Sequence, residues 1–202
     1  MTTVSAPAAT LTRTAPPATV KCVHSPSGLQ AWLVEEHAVP LIAIEFAFTG
    51  GAAQDPSGRP GVANLLSGLF DEGAGDLDAD AFQTRLADRA IELRFHADRD
   101  TLRGSLKTMT SHLDEAVDLL RLALNETRLD ADAIERVRGQ VEAGLRHEAK
   151  NPDALAAREF FSVAFPQHPY GQPVRGSLGS VAAITRDDQN RSFINKLHFT
   201  SP

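Results

Sequence analysis

Gly50-Gly51-Ala-Ala-Gln-Asp55-Pro-Ser-Gly-Arg-Pro60-Gly61-Val-Ala-Asn64-Leu-Leu-Ser67-Gly68-Leu-Phe70 is the stretch on which the fold turns. Two glycines end whatever precedes them, and Asp55 to Pro60 is turn chemistry. From Gly61 the apolar positions 62, 65, 66, 69 and 70 follow helical spacing, which predicts a short buried helix over 61–70. Upstream, Leu41 to Phe48 is an almost unbroken apolar run whose one charge is Glu45, as expected for a strand in the middle of a covered sheet. Val20 to His24 and Leu29 to Val34 flank a Pro-Ser-Gly turn at 26–28 and read as a hairpin.

Downstream, Gly73 and Gly75 punctuate the chain, and Asp78 caps a second helix running to Ala90, with Phe82, Leu86 and Ala90 facing inward. Ile91 to Ala97 and Leu102 to Met109 form a second hairpin about Asp98-Arg99-Asp100; Leu93, Phe95 and Ala97 alternate with Glu92, Arg94 and His96, so one face is wet. Three helices follow at about 111–125, 131–150 and 153–165, the first with Leu113, Val117, Leu120 and Leu124 inward. This order is not the alternation of a doubly wound sheet. It implies an α+β layer structure, an antiparallel or mixed sheet covered by helices on one face.

The remaining organisation is simple. Residues 1–19 are rich in Ala, Thr and Pro and read as a flexible segment, 20–188 as the folded domain, and 189–202 as an irregular tail. No apolar stretch in the opening suits an export signal or membrane span, so the expectation is a soluble chain, cytoplasmic as written, or periplasmic if an export signal preceded it.

Composition narrows the function classes. A hydrophobic share of 42% with 23% charged residues suits a globular domain. The formal net charge of -6 and the lack of a Lys/Arg run argue against nucleic-acid binding and against an anionic membrane surface. Cys22 is the single cysteine, which excludes an internal disulfide framework and a multi-cysteine metal cluster; it reads as a small apolar filler. Phosphate loops, nucleophile elbows and dinucleotide fingerprints are absent from the sequence.

Three landmarks occur in order: Gly50-Gly51 with Asp55-Pro56 ahead of Gly61-Val-Ala-Asn-Leu-Leu-Ser-Gly68; Arg99-Asp-Thr101; and His168-Pro-Tyr-Gly171 followed by Pro173-Val174 and Gly176. As a set they resemble the N-terminal domain of the pitrilysin/insulinase family of zinc peptidases, from about residue 20 to about 188. The resemblance implies one lobe of a two-lobed subunit. It also implies that a further strand would follow the Phe193 region, so the chain is expected to be a truncated or altered form.

Active members of that family carry His-x-x-Glu-His on the first helix, two histidines for zinc and a glutamate for the water. Residues four apart stack on one helical face, which is why that spacing serves one ion. Laid without a gap onto 61–68, the pattern puts Asn64 and Gly68 at the histidines and Ser67 at the glutamate. The family's third ligand is a glutamate on a later helix, and counting back from Asn151-Pro152 places Gly144 there. An amide, a hydroxyl and two glycines do not form a zinc site. No pair of the seven histidines stands four apart.

The resemblance therefore implies a silent member with no catalytic residue and no metal of its own, zinc being expected only in an active peptidase subunit of the same family. The two would form a heterodimer enclosing a chamber for peptide substrates. An edge strand in active members aligns the substrate backbone, and its counterparts are Arg94, Phe95, His96 and Ala97, with Arg94-Phe95 where many active members have Asn-Ala. Simple edge protection by the charges at 92 and 94 is the competing reading of that strand. At the level of the whole chain, the alternative is a scaffold module of the same fold with no peptidase partner; a metallopeptidase with displaced ligands is the third reading. His168 and Tyr170 read as a turn rather than an acid–base pair, because Pro169, Gly171 and Pro173 crowd the stretch.

Overall fold

The computed structural model describes residues 19–26 and 28–196, with side chains to Arg191. The chain divides into two compact units, one up to Val39 and one beginning at Pro40. This division falls inside the span 20–188 that the sequence reads as one domain. Residues 1–18, Ser27 of the hairpin turn, and 197–202 of the tail lie outside the described residues.

The first unit is a hairpin: β1 (Val20–His24) pairs antiparallel with β2 (Gln30–Val34), Val20 opposite Val34 and Cys22 opposite Trp32. All ten strand residues are exposed. Cys22 is accordingly no core filler; its Sγ accepts a hydrogen bond from Gln30 Nε2 at 2.9 Å on the surface.

The second unit is built on a three-stranded antiparallel sheet in the order β3 (Leu41–Thr49), β5 (Thr101–Met109), β4 (Glu92–Ala97). The strand read as central, β3, is an edge, and β5 is central. Ala43 and Ala47 explain the error: they lengthen the apolar run but lie on the exposed face, while Ile42, Ile44, Phe46 and Phe48 point to the half-buried one. The period is two, as a sheet covered on a single face demands. Along β4 and β5 the buried positions are Leu93, Ala97, Leu102, Gly104, Leu106 and Thr108.

Helices cover that face. α1 (Val62–Ser67) is shorter than the expected 61–70, yet Leu69 and Phe70 beyond its end are buried with it. α2 (Ala79–Asp88) is capped by Asp78, whose Oδ1 accepts from Ala81 N at 2.9 Å. Phe82 and Leu86 are buried, whereas Ala90 lies past the helix end, exposed, with φ 50°.

α3 (Leu113–Asn125) buries Ala116, Leu119 and Ala123, one position back from the expected stripe, and Val117 is exposed. Its leucines outnumber the positions that the sheet can cover, so two alanines mark the closest approach and the larger side chains flank it. α4 (Ala131–Glu148) buries Ala133, Ile134, Val137 and Val141 against α1. α5 (Pro152–Ala164) starts with proline at its first position and Asn151 Oδ1 accepting from Asp153 N at 3.0 Å.

α6 (Leu178–Ala183) has a Ser177/Ser180 capping box. α7 (Arg186–Lys196) replaces the first part of the tail expected to be irregular from 189 onward. Its start is a reciprocal cap: Asp188 Oδ2 accepts from Thr185 N at 2.8 Å and from Thr185 Oγ1 at 2.7 Å. Gln189 is completely buried, so this helix belongs to the packed unit.

Candidate functional site

α1 is held at its start by a carboxylate. Asp55 accepts from Gly61 N at 2.8 Å and Ala63 N at 2.9 Å, which satisfies donors the short helix cannot pair internally. Gly61 has φ 103°, and its Cα faces the Arg175 carbonyl so closely that a Cβ would stand 2.9 Å from that oxygen. Ser180 Oγ donates to Pro60 O at 2.8 Å, so the first turn of α6 clamps the same segment.

On α1 the sequence-predicted slots are present in order but chemically occupied. Asn64 is half-buried. Ser67 is 5% exposed and donates its hydroxyl to Asn64 O at 2.8 Å, one turn back on the same helix. Gly68 ends the helix against α4, where a Cβ would be 2.9 Å from Val137 Cγ1. Small residues here allow two helices to touch.

Gly144 lies near the C-terminal end of α4, and a Cβ there would be 2.5 Å from Arg175 Nη2. Arg175 pairs through Nη1 with Glu148, one turn further along α4. Its backbone thus abuts the start of α1 while its guanidinium fills the space over Gly144. The sequence reading passed over Arg175; the only signal was a cation inside the Pro173-Val174 to Gly176 landmark.

The fit to zinc fails on this donor set. Asn64, Ser67, Gly68 and Gly144 offer no imidazole, carboxylate or thiolate, and the space over Gly144 holds the Arg175 guanidinium, paired with Glu148. Among the described residues no three His, Cys, Asp or Glu side chains group so as to hold a metal ion.

β4 carries the four peptide-edge candidates. Phe95 is half-buried, tilted against Phe70 with ring centroids 4.7 Å apart, and Ala97 is completely buried. Arg94 and His96 project to the exposed face, Arg94 lying 3.8 Å from Glu92. Among the described residues β4 pairs only with β5, so its other backbone edge is open.

The β4–β5 turn is a polar knot around Asp98, which accepts from Thr101 N at 2.7 Å, Thr101 Oγ1 at 2.8 Å, Asp100 N at 2.9 Å and Arg103 Nε at 2.9 Å. Burial pushes its carboxyl upward, but these bonds outweigh that and hold it below the usual range. His168 Nδ1 accepts from Tyr170 N at 3.2 Å, and Tyr170 donates its hydroxyl to Asp100 at 2.6 Å. His168 and Tyr170 therefore fix a turn to the hairpin. A cavity of about 510 Å³ opens beside this region, walled by the end of α4, by α5, by the 171–177 segment with the start of α6, and by Arg99.

Residues 33–177 match the model of the insulinase family, peptidase family M16. A Helicobacter pylori protein named non-peptidase homolog YmxG is 28% identical over 168 residues, 81% of this chain and 39% of that protein. The mitochondrial-processing peptidase subunit beta of Lentinula edodes is 22% identical, over 68% of this chain and 30% of its own length. Among solved structures, a peptidase M16 inactive domain from Pseudomonas fluorescens superposes with TM-score 0.79 at 24% identity, covering 87% of this chain and 43% of that one. A protease from Helicobacter pylori gives 0.74 at 22% identity, over 86% and 42%. The chain thus spans between 30% and 43% of the length of these proteins.

Proposed function

We propose, from the premise that this chain belongs to the insulinase family (peptidase family M16), that it is a non-catalytic lobe acting as the partner of a zinc-bearing peptidase subunit of that family. The observation that carries the reading is the state of the ligand slots. Asn64, Ser67, Gly68 and Gly144 supply no zinc donor of the usual kinds, and Arg175 fills the space over Gly144.

The non-peptidase name of the Helicobacter pylori relative supports the silent assignment, and the subunit name of the processing-peptidase relatives supports membership in an assembly. In this reading the lobe 20–188 shapes the wall of a peptide chamber, with the open edge of β4 at Arg94 to Ala97 available for backbone pairing with a peptide. Zinc then resides in the partner alone. No described helix is long and apolar enough to cross a membrane.

The test combines metal analysis with affinity capture from the native cells. Purified chain is expected to carry no stoichiometric zinc and to leave peptides uncut, while capture recovers a His-x-x-Glu-His chain. One zinc per chain with chelator-sensitive cleavage would overturn the silent assignment. Capture without any such chain would favour the scaffold alternative.

A further inference from the structure

We infer that the cavity between α4, α5 and the 171–177 segment leading into α6 is a binding site for a monocarboxylate with an apolar body. This site is independent of the partner reading above, since it requires no second subunit.

The cavity measures about 510 Å³, within the range of small-molecule sites, and its wall is largely apolar, with Leu155, Val174 and Phe161 among the residues that line it. Three arginines border it: Arg99, Arg158 and Arg175. They differ in how far their charge is already met. Arg175 is paired with Glu148, which also lines the cavity. Arg158 is exposed at the rim, where solvent screens it.

Arg99 is the exception. Its guanidinium carbon Cζ lies over the Phe161 ring, 3.6 Å from the centroid, and its Nε is buried with no hydrogen-bond partner among the described residues. Stacking uses the face of a guanidinium and leaves its N–H edge free in the plane. The Arg99 side chain is only half-buried and makes no ion pair among the described residues, so a carboxylate brought to the accessible edge of the guanidinium would gain charge-assisted bonds that Phe161 cannot supply.

Charge selects among anions. One seated, uncompensated cation beside the Glu148 carboxylate matches a monoanion better than a phosphate dianion, and the apolar wall demands a hydrocarbon or aromatic body next to the charge. A free organic acid and the acidic side chain of a peptide both offer that chemistry.

The experiment is calorimetric titration of the full 202-residue chain with hydrocinnamate. Saturable binding is expected, with the neutral hydrocinnamamide about tenfold weaker and Arg99→Gln weakening hydrocinnamate by about the same factor. Arg158→Gln should change affinity by less than about threefold, as befits a screened rim charge. Blocked acetyl-Phe-Glu-amide binding tighter than hydrocinnamate assigns the carboxylate to peptides; the reverse order assigns it to free acids, and either supports the site. No binding of hydrocinnamate, equal binding of its amide, or equal binding of inorganic phosphate overturns the proposal. The amide comparison uses the unaltered chain, so it decides the matter even if Arg99→Gln does not fold.

Discussion

The guanidinium of Arg175 lies over Gly144, in the volume that a side chain there would need: a Cβ would fall 2.5 Å from Nη2, so any larger residue at 144 displaces the flexible end of the arginine. The pairing of Arg175 with Glu148 keeps it there. Restoring the ligand residues therefore also requires this part-exposed pair to open and the guanidinium to move aside. The combined variant Asn64→His, Ser67→Glu, Gly68→His, Gly144→Glu is expected to bind only substoichiometric zinc in equilibrium dialysis. The histidine at 68 must also enter the space of Val137, a close approach of 2.9 Å even for its Cβ. Such overpacking costs about 1–3 kcal/mol, measurable by urea denaturation. Stoichiometric zinc in that variant would refute the block.

Gly61 sits at φ 103° with the Arg175 carbonyl 2.9 Å from its would-be Cβ, and both neighbours are backbone that cannot swing aside. Gly61→Ala should cost about 3 kcal/mol, combining strain in the left-handed region with the collision. A midpoint in denaturant equal to that of the unaltered chain would show that the turn relaxes freely.

The Asp55 carboxylate receives two backbone N–H groups at the start of α1. Asp55→Ala leaves both without that acceptor, and a loss of about 1–2 kcal/mol is expected. Amide exchange should speed up most at Gly61 and Ala63, which separates a local capping effect from general unfolding.

Acid should weaken the fold through two particular carboxylates. Burial pushes Asp98 and Asp188 upward, but hydrogen bonds outweigh it in both, from Thr101, Asp100 and Arg103 for Asp98, and from Thr185 and the Arg59 pair for Asp188. Both therefore titrate lower folded than unfolded. Their stabilisation is complete above the unfolded value of about 3.9, and it is lost as pH falls below that through the depressed folded values. Asp98→Asn and Asp188→Asn should each flatten the stability profile in this acid range relative to the unaltered chain. An unchanged slope would exclude the residue concerned.

Tyr170 is the single tyrosine, so phenolate absorbance reports on it alone. Its hydrogen bond to Asp100 is the main cause holding its hydroxyl above the usual tyrosine value, since ionisation would set two anions against each other. Asp100→Asn should bring the titration back toward that of free tyrosine. Because the folded value is the raised one, this bond's contribution is fully present below the unfolded value of about 10 and fades as pH rises through the folded one.

Much of this architecture was readable beforehand. The cap at Asp78, the turn glycines and the alternation at Leu93, Phe95 and Ala97 are local signals, and each element forms where those signals stand. Several of the errors share one cause. Ala43, Ala47 and Val117 are apolar residues on exposed faces, and only the positions of neighbouring elements decide which apolar residue is covered. The start of α7 escaped because its residues are polar, and it is held instead by the Thr185–Asp188 cap and by Asp188 pairing with Arg59.

The identity of the ligand slots was a matter of sequence alone: which functional groups a chain offers at 64, 67, 68 and 144 is decided by covalent chemistry before folding. What fills the vacated volume was not. Arg175 is 31 residues from Gly144 (175 − 144) and reaches it because the 171–177 segment returns across α4, and Arg99 meets Phe161 only because a hairpin turn packs against α5. Side chains far apart in the chain become neighbours through packing, and a linear pattern carries no distance between them.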